Sequence, residues 1–190
     1  VLAACLRRKE ARGRPVRLMF QDEARFGRMV RIRRCWAPKP ERPTVCNGYE
    51  REFLYVYGAV SPLQGQHDWM ITRQMNTACM SKFLAKVSTA HRREFIIMVV
   101  DGASSHVSKD LVVPKNMRLL RLPPYAPELN PEEHIWDHLR EKEFPNPVFA
   151  DLISVRAQLE DGLHRLAADR KTIRSITAWP WILRLTLNAH

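Results

Sequence analysis

The sequence predicts an α/β fold in which a sheet of apolar strands is flanked by helices. Short apolar runs rich in β-branched and aromatic residues, each followed by turn residues, indicate buried strands. Apolar residues at three- and four-residue steps indicate amphipathic helices, two of which follow an Asn-Pro pair. The chain has 190 residues, 45% hydrophobic and 27% charged, which suits one domain with its own core.

The central strand is predicted at residues 95–101, FIIMVVD, which are followed at once by Gly102. Six apolar residues lead into one carboxylate and a turn residue, the pattern of a fully buried strand that carries an acid at the end of a sheet. Asp101 is therefore predicted at a strand end. The alternative is that Asp-Gly is a turn signal only.

Further strands follow from the same kind of apolar run, at residues 16–22, 30–36, 53–60, 69–73 and 117–122. In residues 30–36, alternation places Val30, Ile32 and Trp36 inward and leaves the arginines on a basic, solvated face. Trp36 could instead stack on a nucleic-acid base, although a tryptophan at a strand end is more often part of a core.

Helices are predicted at residues 76–89, from Asn130 to about residue 143, and from Asn146 onward. In the last two, Asn is the expected N-cap and Pro the first helical residue. We divide the chain into a basic arm or linker at residues 1–15, a main domain at 16–168, and a segment at 169–190 that packs on the domain or on a partner.

The net charge of +11 is concentrated at the N-terminal end. Residues 1–51 hold 14 Lys and Arg against 5 Asp and Glu. Such a surface favours a polyanion such as nucleic acid, and a merely soluble basic face is the alternative. No apolar run approaches the roughly 20 residues that cross a bilayer, and we expect a cytosolic protein.

Three carboxylates come from separate predicted elements: Asp22 at the end of the first strand, Asp101 at the end of the central strand and Glu133 near a helix start. Hard divalent cations prefer such oxygen ligands, so we interpret the three as one metal site. Asp22 could also be a solvated strand end. Glu133 could complete a capping box with Asn130, and spacing alone leaves the choice between Glu132 and Glu133 open.

The stretch LPPYAPELNPEEHIW resembles the signature LPPYSPxLNPIExxW of DDE transposases of bacterial insertion sequences, in the insertion sequence 630 group of the mariner superfamily. Other matching stretches occur in the family's order: QDEARFG, CWAPKPERPTV, YVYGAVSP, VVDGASSH and SITAWPW. The resemblance implies that Asp22, Asp101 and Glu133 are the catalytic acids and metal ligands, with Glu132 a bystander.

The same resemblance implies a ribonuclease H-like fold, with a mixed five-stranded sheet flanked by helices. It further implies a two-metal site for Mg²⁺, for which Mn²⁺ substitutes, DNA strand cleavage followed by strand transfer, and double-stranded DNA as partner. We expect a homodimer in the active complex and a bacterial cytoplasmic location. The alternatives are a catalytically inactive DNA-binding remnant of a transposase and another ribonuclease H-like nuclease.

Such transposases carry N-terminal helix-turn-helix modules, and this chain begins after the point where they would end, so we expect an isolated catalytic domain. Nonspecific DNA contacts are then predicted from Arg25, Arg28, Arg31, Arg33 and Arg34. His106 could contact a phosphate near the metal ions, and the alternative is that a short helix start places it on the surface.

Overall fold

Five strands form one mixed sheet in a computed structural model that describes residues 13–28, 36–41, 44, 50–102, 108–123, 126–144 and 149–187. The strands are β1 (Val16–Gly27), β2 (Phe53–Ser61), β3 (Gln66–Thr72), β4 (Phe95–Val100) and β5 (Met117–Arg121). They lie in the order β3-β2-β1-β4-β5. β1 and β2 pair antiparallel, as do β2 and β3, whereas β1 with β4 and β4 with β5 are parallel. The predicted mixed five-stranded sheet is confirmed.

Helices cover both faces of this sheet. They are α1 (Thr77–Ala90), α2 (Glu132–Lys142), α3 (Leu152–Ala168), α4 (Arg170–Thr177) and α5 (Pro180–Leu187), with a short 3-10 turn at Pro127–Leu129. α1 packs on one face through the four residues that the sequence predicts, Met80, Phe83, Leu84 and Val87. Buried residues of α2, α3, α4 and α5 share a second cluster on the other face.

β4 is buried at every position because both of its faces are covered. Alternation sends Ile97 and Val99 toward α2 and α3, and Ile96 and Met98 toward α1. A strand between two helical layers reads as a continuous apolar run, as this one does. The same alternation operates in β1, where Leu18 and Phe20 face α2 and α3 and Met19 faces α1.

β1 is longer than the sequence predicts, and Asp22 lies inside it, not at its end. The parallel pairing with β4 stops at Phe20 opposite Val99, but β1 continues to Gly27 because its second half pairs antiparallel with β2. β1 therefore does not turn where its pairing with β4 ends, because its pairing with β2 continues. Asp22 is therefore held by the ladder to β2.

Two predicted helix starts differ in the structure. α2 begins at Glu132 with Pro131 as its N-cap, one residue later than expected, although the side chain of Asn130 still accepts a bond from the Glu132 N–H at 3.2 Å. α3 begins at Leu152, so the prediction that a helix from Asn146 includes Phe149 is wrong. Its N-cap is Asp151, whose side chain accepts from the Ser154 N–H at 2.7 Å.

The predicted inward position of Trp36 is also wrong, since Trp36 is fully exposed at 103% of its reference surface. Residues 29–35, which carry most of the predicted basic strand, lie outside the described residues, as do residues 1–12 of the basic arm.

The C-terminal helices pack onto the core. Ile173 and Ile182 are fully buried within it, and the edge of Trp181 meets the ring of Phe20 with centroids 5.9 Å apart. The division of the chain at residues 15 and 168 stays a prediction. None of the helices in the described part of the chain is long and apolar enough to span a membrane.

Candidate active site

Asp22 lies on the sheet face that α2 covers. It stands opposite Gly58 of β2 and two residues beyond Phe20, whose side chain packs on the same face. Asp22 is 9% exposed, and its Oδ2 accepts a hydrogen bond from the indole N–H of Trp136 at 3.1 Å. The burial results from α2, which lies directly above this part of β1.

Asp101 follows the last residue of β4. The last pair in the parallel register is Phe20 with Val99, so Asp22 inside β1 and Asp101 just after β4 each lie two residues beyond that pair. Because side chains alternate along a strand, Asp22 continues the face of Phe20 and Val99, whereas Asp101 lies just beyond the end of β4. Asp101 is half-buried. The sequence prediction of an acid directly after a buried strand is confirmed for Asp101.

Glu133 lies in the first turn of α2, which covers that same face. Two effects raise the pKa of Asp22 to about 8. The larger is burial of its carboxyl group, and the second is the negative charge of Glu133. A buried acid beside a second acid resists ionisation, because each negative charge disfavours the other. A bound cation would relieve this repulsion.

The donor chemistry of these three acids fits a hard divalent cation, which takes carboxylate oxygens and keeps several waters. In the described ranges, no group of three or more His, Cys, Asp or Glu side chains lies close enough to hold one ion as positioned. The structure thus brings Asp22 and Glu133 into electrostatic contact and sets Asp101 at the adjacent strand end.

Glu23 points away from this site, as alternation predicts. It stands opposite Tyr57, which packs with α1 on the other face of the sheet. Burial, and then the charge of Glu23, raise the pKa of the Tyr57 hydroxyl to about 12. The side chains of Asp22 and Glu23 therefore lie on opposite faces of the sheet, and of these two only Asp22 faces α2.

Glu132, which is predicted from the sequence to have no role in the site, has a defined place beside it in the structure. Glu132 is fully buried and its Oε1 lies 2.6 Å from Nε2 of His67 on β3, whose side chain is also inaccessible. Burial raises the pKa of Glu132, and the imidazole of His67 acts in the opposite direction. The spacing could have predicted this burial. Glu132 precedes Trp136 by four residues, so the two side chains share one side of the helix, and a tryptophan on that side indicates that it is buried.

The basic residues predicted to bind DNA are only partly described. Arg25 is exposed, and its guanidinium lies over the ring of Phe53 at 5.0 Å from the centroid. Arg28 is ion-paired with Glu50 and, at 3.0 Å, with Glu52, so a phosphate would have to compete with two carboxylates. The other candidates lie outside the described residues: Arg31, Arg33, Arg34 and His106.

Solved structures similar to this chain are complexes of the Mos1 mariner transposase. The strand transfer complex matches with a TM-score of 0.60 at 17% identity, over 94% of this chain and 58% of that one. The paired-end complex with Mg matches with a TM-score of 0.64 at 16% identity, over 91% and 54%. These matches confirm the ribonuclease H-like fold. The chain spans a little over half the length of the Mos1 chains.

Among curated proteins, an uncharacterized protein of Sinorhizobium fredii, y4pE/y4sA, is 30% identical over 133 residues, which are 70% of this chain and 98% of that protein. The family model described as DDE superfamily endonuclease matches residues 17–156, which include all three acids. This match covers well over half of the chain. The chain therefore belongs to the DDE superfamily endonucleases.

Proposed function

We propose that this chain is the catalytic domain of a bacterial DDE transposase, of the insertion sequence 630 group in the mariner superfamily. It would cut DNA at the ends of an insertion sequence and join the cut ends to target DNA. The observation that carries the proposal is that Asp22 lies close enough to Glu133, in the first turn of α2, for the two charges to interact, while Asp101 follows the end of the adjacent parallel strand β4. Family membership and the fold shared with the Mos1 complexes support it.

In this proposal Asp22, Asp101 and Glu133 hold Mg²⁺ or Mn²⁺, in a two-metal site. Mos1 complexes have been solved with Mg and with Mn. When bound, such ions lower the pKa of the attacking water or hydroxyl and neutralise charge on the leaving oxygen. The contribution of the chain is a rigid frame: Asp22 is fixed in the ladder between β1 and β2, and Glu133 is carried by a helix packed on that sheet.

The reaction consists of two in-line displacements at phosphorus. In the first, the oxygen of water attacks a phosphodiester at the end of the element, and the bond to the 3′ oxygen breaks to release a 3′-hydroxyl. In the second, that hydroxyl attacks a target phosphodiester, and one new phosphodiester replaces one broken bond. A single site of carboxylates suits both steps because each has the same charge distribution.

Double-stranded DNA, both element ends and target, is the proposed partner, with a homodimer in the active complex and a bacterial cytoplasmic location. The excess of basic residues in residues 1–51 supports a nonspecific contribution to DNA binding. Arg25 is exposed in the structure and could take part, although alternation along β1 sets it on the side of Glu23, away from Asp22.

Nicking of supercoiled plasmid tests the proposal without knowledge of the element ends. We expect Mn²⁺- or Mg²⁺-dependent conversion to open circles by the wild type, and its loss in Glu133→Gln. Glu128→Gln is the matched control, because Glu128 is exposed on the turn just before α2 and undergoes the same chemical change. Equal nicking by Glu133→Gln and wild type would refute the assignment. Cleavage confined to RNA–DNA hybrids would instead identify another nuclease on this fold.

A further inference from the structure

We propose that Trp136 is a positioning residue for Asp22: its indole N–H fixes the orientation of the carboxylate that binds the metal ion. The inference rests on the proposed function, in which Asp22 is a ligand. The indole nitrogen lies 3.1 Å from Oδ2 of Asp22, and Trp136 is fully buried. A buried indole N–H is a donor only and requires an acceptor. Asp22 is that acceptor.

The indole ring is itself fixed on three sides. Gly58, the cross-strand neighbour of Asp22, has no side chain, and a Cβ there would lie 2.5 and 2.7 Å from two ring atoms of Trp136. The rings of Phe26 and His67 meet the indole edge-on, with centroids at 6.3 and 5.9 Å. The ring therefore has no room to turn, and the direction of its N–H is set by packing.

The buried pair of Glu132 and His67 completes the support. Glu132 lies one helical turn before Trp136, and its Oε1 also lies against the position that a Gly58 side chain would fill. The first two turns of α2 are thus bonded to β3 through Glu132 and to β1 through Trp136. Glu133 lies between them in sequence, so one helix carries one proposed ligand and orients a second.

An indole suits this role because it is neutral. A lysine or arginine would also donate to Asp22, but its charge would cancel the negative charge that attracts a cation. The indole orients the carboxyl group and adds no positive charge that would oppose a cation. Groups that orient metal ligands in this way commonly change metal affinity by about 10- to 100-fold when removed.

Mn²⁺ affinity, measured by electron paramagnetic resonance of the free ion, tests the inference in the folded protein. We expect Trp136→Phe to weaken Mn²⁺ binding by about tenfold or more. Trp179→Phe is the matched control: its indole also donates one bond of 3.1 Å, to the carbonyl of Ile176, and we expect a change of less than about twofold. Thermal unfolding of both variants shows whether they fold.

Asp22→Asn separates failure of this inference from failure of the proposed function. If Asp22→Asn weakens Mn²⁺ binding and Trp136→Phe does not, Trp136 is structural only and the proposed function stands. If the wild type binds no Mn²⁺, or Asp22→Asn binds it as well as the wild type, the metal site is wrong and the inference fails with it.

The wild-type protein offers a second measurement that does not depend on the folding of Trp136→Phe. The chain has five tryptophans, and each gives one indole N–H resonance. We expect substoichiometric Mn²⁺ to broaden the Trp136 resonance first, and Asp22→Asn to shift it. Broadening of another indole while that of Trp136 persists would overturn the inference.

Discussion

The buried carboxyl group of Asp22 makes the stability of the metal-free protein depend on pH. Burial and Glu133 raise its pKa from 3.8 to about 8. Between these values the folded state binds a proton that the unfolded state has released, so stability falls as the pH rises. At about 1.4 kcal/mol per pH unit, the loss between pH 3.8 and pH 7 is on the order of 4 kcal/mol.

Asp22→Asn removes this dependence while keeping an oxygen acceptor for the Trp136 indole. We expect the variant to be more stable than the wild type at pH 7 in the presence of a chelator, by up to about 4 kcal/mol, and the two to converge near pH 4. Urea unfolding at several pH values from 4 to 8 measures both curves. Asp137→Asn, which changes an exposed aspartate of α2, is the matched control and should follow the wild type.

In Asp22→Asn, stability should still fall somewhat as the pH rises, because a second buried acid has the same effect. Burial also raises the pKa of Glu132, so its ionisation destabilises the folded state as the pH rises. The N-cap Asp151 acts differently: bonds from Ser154 lower its pKa, so its contribution is lost only as the pH falls below its ordinary range. If the stability of the wild type does not fall between pH 5 and 8, or if Asp22→Asn is less stable than the wild type at pH 7, Asp22 is not the buried, protonated group described.

Two further predictions concern the contact between α2 and the sheet. Gly58→Ala should destabilise the fold by about 1–3 kcal/mol, because its Cβ would overlap Glu132 and Trp136. The control variant Gly102→Ala should leave stability unchanged, because the space around its Cβ position is open. Equal unfolding midpoints for the two variants would contradict this prediction. Glu132→Ala leaves His67 buried without its partner and should cost about 1–3 kcal/mol. A double-mutant cycle with His67→Ala should give a coupling of about 0.5 kcal/mol or more, and strict additivity would show that the pair is not coupled.

The strands were predictable because burial on both faces leaves a strong pattern. Residues 95–100 of β4 form an unbroken apolar run, and the structure buries all of them. The length of β1 was not predictable, because its second half contains Glu23 and Arg25 and is held by pairing with β2. Which strand pairs with which is a tertiary property that a local run of residues does not encode.

Helix starts were less predictable, because several residues near each start can cap it. Asn146-Pro147 resembles a helix start as much as Asp151 does, and the structure uses Asp151, whose carboxylate bonds the Ser154 N–H and hydroxyl. Spacing also left Glu132 and Glu133 undecided. In the structure Glu132 bonds to His67 of β3 in the core, and the charge of Glu133 raises the pKa of Asp22 more than that of Glu132 does.

The positions of the acids followed from different signals. Asp101 was predictable from the run that it ends, and its alignment with Asp22 needed the parallel register of β1 and β4. The indole bond from Trp136 to Asp22 joins residues 114 positions apart and has no local signature. Only packing of α2 over Gly58 brings the two together.

An anomalous difference map from crystals soaked in Mn²⁺ tests the central claim most directly. We expect a peak at about 2.1 Å from carboxylate oxygens of Asp22, Asp101 and Glu133, with two ions when DNA is bound. We also expect that Oδ2 of Asp22 keeps its bond to Trp136. A peak elsewhere, or Mn²⁺ held without Asp22 or Glu133, would contradict the assignment of these acids as the metal site.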